Sequence, residues 1–200
     1  MISVTSIVLN TIFAGLLFFK FVTPNVKIQF SDIIVMNNYN GHPCLEIRIG
    51  NCDGNANLVT DVSARLTYSY RVTYKDGSGH VRERGDTGTL NLVQDQRHEL
   101  SAVWTVRHIM DETSPLFGLR FDEEPGASIY YFQLYISGTH NATKVGICEL
   151  STYGLQDVLV GHCFQDQISF DEKTKTIICD YSKMNETMPS PVWYPPRKSI

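Results

Sequence analysis

From Val26 onward, β-branched and aromatic residues alternate with polar ones in short runs, and turn residues cut the runs apart. No window of useful length repeats with the 3.6-residue period of an amphipathic helix. That pattern excludes a helical bundle and an alternating β/α chain, and it predicts strands that bury one face each. The runs are Ile33–Met36, Cys44–Ile49, Leu58–Tyr74, Thr87–Gln94, Glu99–Ile109, Ser128–Gly138, Val145–Tyr153, Asp157–Phe164 and Lys175–Tyr181. With the segment that follows Val26 they make about ten strands, a number that points to an antiparallel sandwich of immunoglobulin-like type. NNYNGH separates two of them, and KDGSG (Lys75–Gly79) reads as a hairpin turn whose Asp-Gly supplies positive φ. The tail from Pro189 to Ile200 is Pro-rich and is expected to be extended.

The first 24 residues differ in kind. Met1 to Phe19 carry no charge, Lys20 closes the apolar stretch, Pro24 breaks the helix, and Lys27 follows. Such a helix spans roughly 30 Å, one hydrocarbon core. A signal peptide needs a positive front and a small-residue cleavage site. The front here is uncharged, and FFKFVTP has no such site. We therefore expect one transmembrane helix over residues 1–24, a β domain over 25–188 and a tail over 189–200. The positive residues after the helix place the β domain in the cytoplasm.

Composition narrows the function. The net charge is −4, with no basic stripe, so nucleic acid is not an expected partner. Five cysteines (Cys44, Cys52, Cys148, Cys163, Cys179) form no C-x-x-C pair, so no metal site is expected. Their odd number fits free, mostly buried thiols in a reducing compartment. The chain holds no G-x-S-x-G, no H-E-x-x-H, no P-loop and no dinucleotide fingerprint, and an enzyme is not expected. The carboxylate pairs Asp122–Glu124 and Asp171–Glu172 read as solvated loop charges. Two N-x-[ST] triplets, at Asn141 and Asn185, matter only outside the cell.

The stretch from His108 to Gly118, HIMDETSPLFG, ends a strand in an acidic turn. Pro115 lacks an N–H, so pairing stops by that point. Asp111, Thr113 and Ser114 can satisfy the backbone groups that the turn exposes. This stretch resembles a segment of the cytoplasmic domain of inward-rectifier potassium channels, most of all the bacterial ones. PNVKIQFSD (Pro24–Asp32), CLEIRIGN (Cys44–Asn51), ISGTHNAT (Ile136–Thr143), VGHCF (Val160–Phe164) and DYSKMNET (Asp180–Thr187) resemble other parts of that domain in matching order.

The resemblance implies an inner, pore-lining helix followed by the cytoplasmic pore and gating domain of a homotetramer. It implies potassium as permeant ion and no cofactor. Asn10 corresponds to the pore-facing position where an acidic residue would hold intracellular polyamine or magnesium. A neutral side chain there implies weak block. Gly15 corresponds to a flexing point and Phe18 to a lower gate of four bulky side chains. Asp61 corresponds to an acidic ring in the vestibule. Gly138, Thr139, His140, Asn141, Ala142 and Thr143 correspond to the cytoplasmic constriction loop. Lys20 and Lys27 remain at the lipid interface, while Thr23, Asn25 and Val26 stand at positions often basic in the family. Losing two or three basic residues at about 1 kcal/mol each argues against phosphoinositide activation.

No T-x-G-[YF]-G-like filter occurs in this chain, which reads as truncated before the selectivity filter. The alternative from a different class is a single-pass or secreted immunoglobulin-like binding or adhesion module.

Overall fold

The computed structural model describes residues 4–22, 26–119, 121 and 129–192. It contains one α-helix, α1 (Val4–Val22), and fourteen strands among those residues. The strands are β1 (Ile28–Phe30), β2 (Ile34–Tyr39), β3 (His42–Asn51), β4 (Val59–Lys75), β5 (Val81–Leu90), β6 (Gln96–Leu100) and β7 (Val103–Ile109). There follow β8 (Ile129–His140), β9 (Gly146–Gly154), β10 (Val158–Val160), β11 (His162–Phe164), β12 (Ile168–Asp171), β13 (Thr176–Cys179) and β14 (Thr187–Pro189).

Two layers carry the fold. In the first, β3 is central, with β7 along one side and β2 and β1 along the other, and β10 extends the sheet by pairing parallel with β2. In the second, β4 is central, with β8 then β9 on one side and β5 and β6 sharing the other. Their inner faces make one core. Leu45, Ile47, Ile49, Trp104 and Val106 come from the first layer, and Val62, Leu66, Phe132, Leu134 and Ile136 from the second. The all-β expectation is met. Two short pairs, β11–β14 and β12–β13, lie outside the main sheets.

Local chemistry explains the joints. Asn40 and Gly41 have φ of 53° and 84°, so NNYNGH makes the two-residue turn whose twist suits a hairpin. At KDGSG the positive φ falls on Gly79 and not on the Asp-Gly pair. Asp76 acts instead through its carboxylate, which accepts from the Ser78 and His80 amides at 2.9 and 3.0 Å. In the acidic corner, Asp111 accepts from the Thr113 amide and hydroxyl at 2.9 and 2.7 Å. Those bonds, the hydroxyl's first, hold the Asp111 carboxyl below its ordinary range. Asp171 turns β12 into β13 the same way, accepting from Lys173 N at 2.9 Å and Thr174 Oγ1 at 2.8 Å.

Several expectations change. The expected run Glu99–Ile109 is two strands in different sheets, because the chain crosses between layers at Ser101–Ala102. Strand β5 begins six residues before Thr87, in a charged, solvent-facing stretch that apolar periodicity cannot mark. Of the five thiols only Cys44 is buried, and Cys52 and Cys148 are exposed. Burial pushes the Cys44 thiol up to about 12. The start of the Pro-rich tail is paired. Pro189 ends β14 opposite His162, and Asn38 Nδ2 donates to Pro191 O at 3.1 Å. The pair Asp122–Glu124, the residues Thr23 and Asn25, and 193–200 lie outside the described residues.

The expected spanning helix is not met in full. Helix α1 has 19 residues and exposes Val4, Ile7, Leu9, Ile12, Phe13, Leu16, Phe18 and Phe19. It rises roughly 28 Å, against a hydrocarbon core of about 30 Å. No helix among the described residues is long and apolar enough to cross a membrane.

Candidate functional site

The β4–β8 ladder explains how Asp61 is placed. Val59 and Val62 are both buried, three residues apart, although a regular strand alternates every two. An extra residue must therefore be inserted, and the register with β8 does shift between Thr60 and Ser63. Asp61 is exposed in that bulge with φ of 52°. Asp and Asn tolerate this region better than other side chains.

The bulge faces the end of β8. Thr60 pairs with Thr139, and Ser63 with Ser137, so Gly138 lies opposite the inserted residue. A Cβ on Gly138 would sit 2.7 Å from Val59 Cγ1 and 3.1 Å from Thr60 O. Only glycine lets the two strands approach this closely. Asn141 N then donates to Leu58 O at 2.8 Å, which pins the hairpin tip to the start of β4.

His140 fixes the tip from inside. Its Nδ1 lies 2.8 Å from Thr143 Oγ1 and accepts from Thr143 N at 3.3 Å. Lys144, at φ of 58°, returns its amide to His140 O and its Nζ to Asn141 Oδ1 at 3.1 Å. Residues Gly138, Thr139 and His140 thus end β8, and Asn141, Ala142 and Thr143 make the turn into β9.

Beside Asp61 an open cleft of about 370 Å³ is lined by Ser63, Gln96, Arg97 and His98. The Arg97 guanidinium stacks 5.7 Å from the Trp104 ring centroid and donates to Val103 O at 3.4 Å. The Arg97 guanidinium is thus held toward Trp104 and Val103, while Asp61 is exposed in the bulge.

The tertiary structure brings Asp61 and Gly138–Thr143 together at one end of the second layer. It does not bring the helix residues to them. Asn10, Gly15, Phe18 and Lys20 are exposed along α1, and a Cβ at Gly15 would meet nothing within 4 Å. Lys27 is exposed ahead of β1, where its backbone N donates to Asp53 Oδ2 at 3.1 Å. The bulge and the His140 lock were missed in the sequence. The spacing of Val59 and Val62 was the available signal for the first. No group of His, Cys, Asp or Glu among the described residues could hold a metal ion.

A family model described as "Inward rectifier potassium channel C-terminal domain" matches residues 28–197. The chain belongs to the inward-rectifier potassium channel family. It is 25% identical over 189 residues to the human ATP-sensitive inward rectifier potassium channel 10, covering 92% of this chain and 48% of that protein. It is 28% identical over 153 residues to the inward rectifier potassium channel Kirbac3.1 of Paramagnetospirillum magnetotacticum, covering 76% of this chain and 50% of that protein. Mouse ATP-sensitive inward rectifier potassium channel 12 is 26% identical over 202 residues, covering 94% and 44%. The chain spans about half the length of these inward-rectifier relatives, all of which are ion channels.

Proposed function

We propose that this chain supplies the inner helix and cytoplasmic domain of an inward-rectifier-type potassium channel subunit. The observation that carries the reading is the family match over nearly the whole β domain. In this reading α1 is the pore-lining helix, and the β domain lies in the cytoplasm. Asn10 faces the pore and gives weak polyamine or magnesium block, Gly15 lets the helix flex, and Phe18 forms the lower gate. Lys20 and Lys27 meet lipid headgroups without making phosphoinositide an activator.

Four copies around one axis would bring four Asp61 bulges and four Gly138–Thr143 hairpins around a shared path for cations. Crosslinking of the detergent-solubilised chain should then stop at four subunits. A monomer under the same conditions would overturn the tetramer, and a sugar on Asn141 would overturn the cytoplasmic placement.

The Asp61 collar has its own test in a channel completed by a pore domain. Asp61→Asn keeps a side chain suited to positive φ and removes one charge per subunit. Single-channel current should fall, most at low ionic strength, where the Debye length reaches about 30 Å at 0.01 M. An equal loss at low and high salt would remove the electrostatic role.

A further inference from the structure

The outer row of β3 runs through Arg48 and Gly50, and Cys52 continues it just past the strand. Cys52 Sγ donates to Gln29 Oε1 at 3.3 Å, and Gln29 pairs with Gly50, so the thiol lies on that outer side. Gly50 seats an aromatic ring. A Cβ there would stand 2.6 Å from Tyr181 Cε1, so glycine is what lets Tyr181 lie against the strand. Tyr181 Oη donates to Asn51 O at 2.7 Å, and that carbonyl belongs to the peptide group joining Asn51 to Cys52.

The same hydroxyl meets a second thiol. Cys179 ends β13, and its Sγ is within hydrogen-bond reach of Tyr181 Oη. The Asn51 carbonyl only accepts, so it takes the phenolic proton, and the Cys179 S–H donates to the Tyr181 oxygen. Two hydrogen bonds therefore separate the Cys179 sulfur from the backbone of Cys52. Both thiols are free, Cys52 exposed and Cys179 half-buried. Burial, with Asp180, holds the Cys179 thiol above its ordinary range, while the Tyr181 hydroxyl, the Val103 amide and the Arg48 guanidinium favour its thiolate. A charge on Cys179 is also felt at Cys52.

The geometry points to a reversible clamp, a disulfide between Cys52 and Cys179 that fastens the β12–β13 ribbon to the end of β3. Among the described residues β12 and β13 pair only with each other. The ribbon has no ladder to either main sheet, so it can shift until the two Cα atoms stand within the roughly 4.4–6.8 Å that a disulfide spans. The oxidant is a low-molecular-weight disulfide such as oxidised glutathione. The Cys52 thiolate attacks one of its sulfurs, forming a mixed disulfide and releasing one glutathione thiolate. The Cys179 thiolate then attacks the Cys52 sulfur and displaces the second glutathione. The two protons given up by the cysteines end on the two glutathione thiols. Two protein thiols are oxidised, one small disulfide is reduced, and excess reduced glutathione reverses the exchange. The clamp does not rest on the channel reading, because it concerns the folded β domain alone.

The test equilibrates the full detergent-solubilised chain with oxidised and reduced glutathione in varied ratio, quenches it with acid and maps its tryptic peptides by mass. Peptides 49–65 and 176–183 should appear joined within one chain, two hydrogens lighter than their sum. Thermal unfolding should rise by roughly 5–15 °C on oxidation and return on reduction. In Cys179→Ser, Cys52 should stop at the mixed disulfide and the rise in unfolding temperature should vanish. Glutathione left on Cys52 of the unmodified chain beside a free Cys179 would overturn the clamp. So would a link from Cys52 to another cysteine or between chains, no reaction at Cys52, or an upward shift that persists in Cys179→Ser. If that variant does not fold, the peptide map of the unmodified chain decides.

Discussion

Replacing His108 by Ala should lower the stability of the β domain by about 2–4 kcal/mol, the sum of a buried cavity and abandoned polar partners. His108 is 1% exposed on β7. Its Nδ1 lies 2.7 Å from Asn91 O and its Nε2 2.8 Å from Ser114 Oγ. A carbonyl only accepts, so Nδ1 carries the proton. Nε2 therefore accepts from the Ser114 hydroxyl, whose oxygen in turn accepts from Leu116 N at 3.0 Å. One imidazole thus ties the loop after β5 to the Ser-Pro corner that covers the core with Leu116. Urea unfolding followed by tryptophan emission measures the loss, since Trp104 is buried on the same strand. Ser114→Ala should cost only about 1 kcal/mol, because it removes one of these bonds and no core volume. A His108→Ala loss below that of Ser114→Ala would refute the bridging role.

The same residue sets a pH dependence. Burial, the largest cause, lowers the His108 pKa from 6.5, and the Asn91 bond and Asp111 oppose it only in part. The unfolded chain therefore takes up the proton first as pH falls. Stability contributed by neutral His108 is complete above about pH 6.5 and declines below it, until the folded-state pKa is passed. The slope from one group is at most about 1.4 kcal/mol per pH unit. His108→Gln should flatten this part of the profile, and a wild-type profile with no decline below pH 6.5 would contradict it.

Gly138→Val should cost about 1–3 kcal/mol and disable the hairpin before it disables the fold. The added Cβ meets Val59 Cγ1 at 2.7 Å and the Thr60 carbonyl at 3.1 Å. The valine methyl can rotate, but the carbonyl belongs to the ladder and can yield only if the bulge at Asp61 opens. For a domain of this size the change corresponds to a fall of roughly 2–4 °C in Tm per kcal/mol. Faster exchange of the Asn141 amide, which bonds Leu58 O at 2.8 Å, would localise the damage to the tip. In a channel completed by a pore domain, current should fall further than the loss of folded protein explains. Wild-type melting and unchanged Asn141 exchange would show that the close approach is not needed.

How much of this was legible in the sequence differs from place to place. Alternation along Leu58–Tyr74 marks a long strand, and β4 runs from Val59 to Lys75. NNYNGH reads as a turn between two strands and KDGSG as a hairpin turn, and the acidic corner offers Asp111 as a cap. Each is a local matter, decided within a few residues by φ preference or by period two. The order of short segments from Pro24 to Thr187 also carried the family, which the match over residues 28–197 shows.

Distance in the chain marks where this reading stopped. Val59 and Val62 face one core only because β4 must satisfy β8 and β6 at once, so the bulge at Asp61 belongs to the sheet and not to its own neighbours. The charged β5 pairs because β4 offers it an edge, despite a sequence with little apolar alternation. Arg48 and Gln167 are 119 residues apart and meet only through tertiary packing. Helix α1 shows the reverse limit, since its apolar sequence is evident while its side chains from Val4 to Lys20 are exposed in the fold of one chain. Local sterics and alternation reveal most segments that extend and where they turn, and the order of those segments carries the family. Which strands become neighbours, and so which polar groups are buried together, is settled by packing across the chain, because burial depends on what covers a residue.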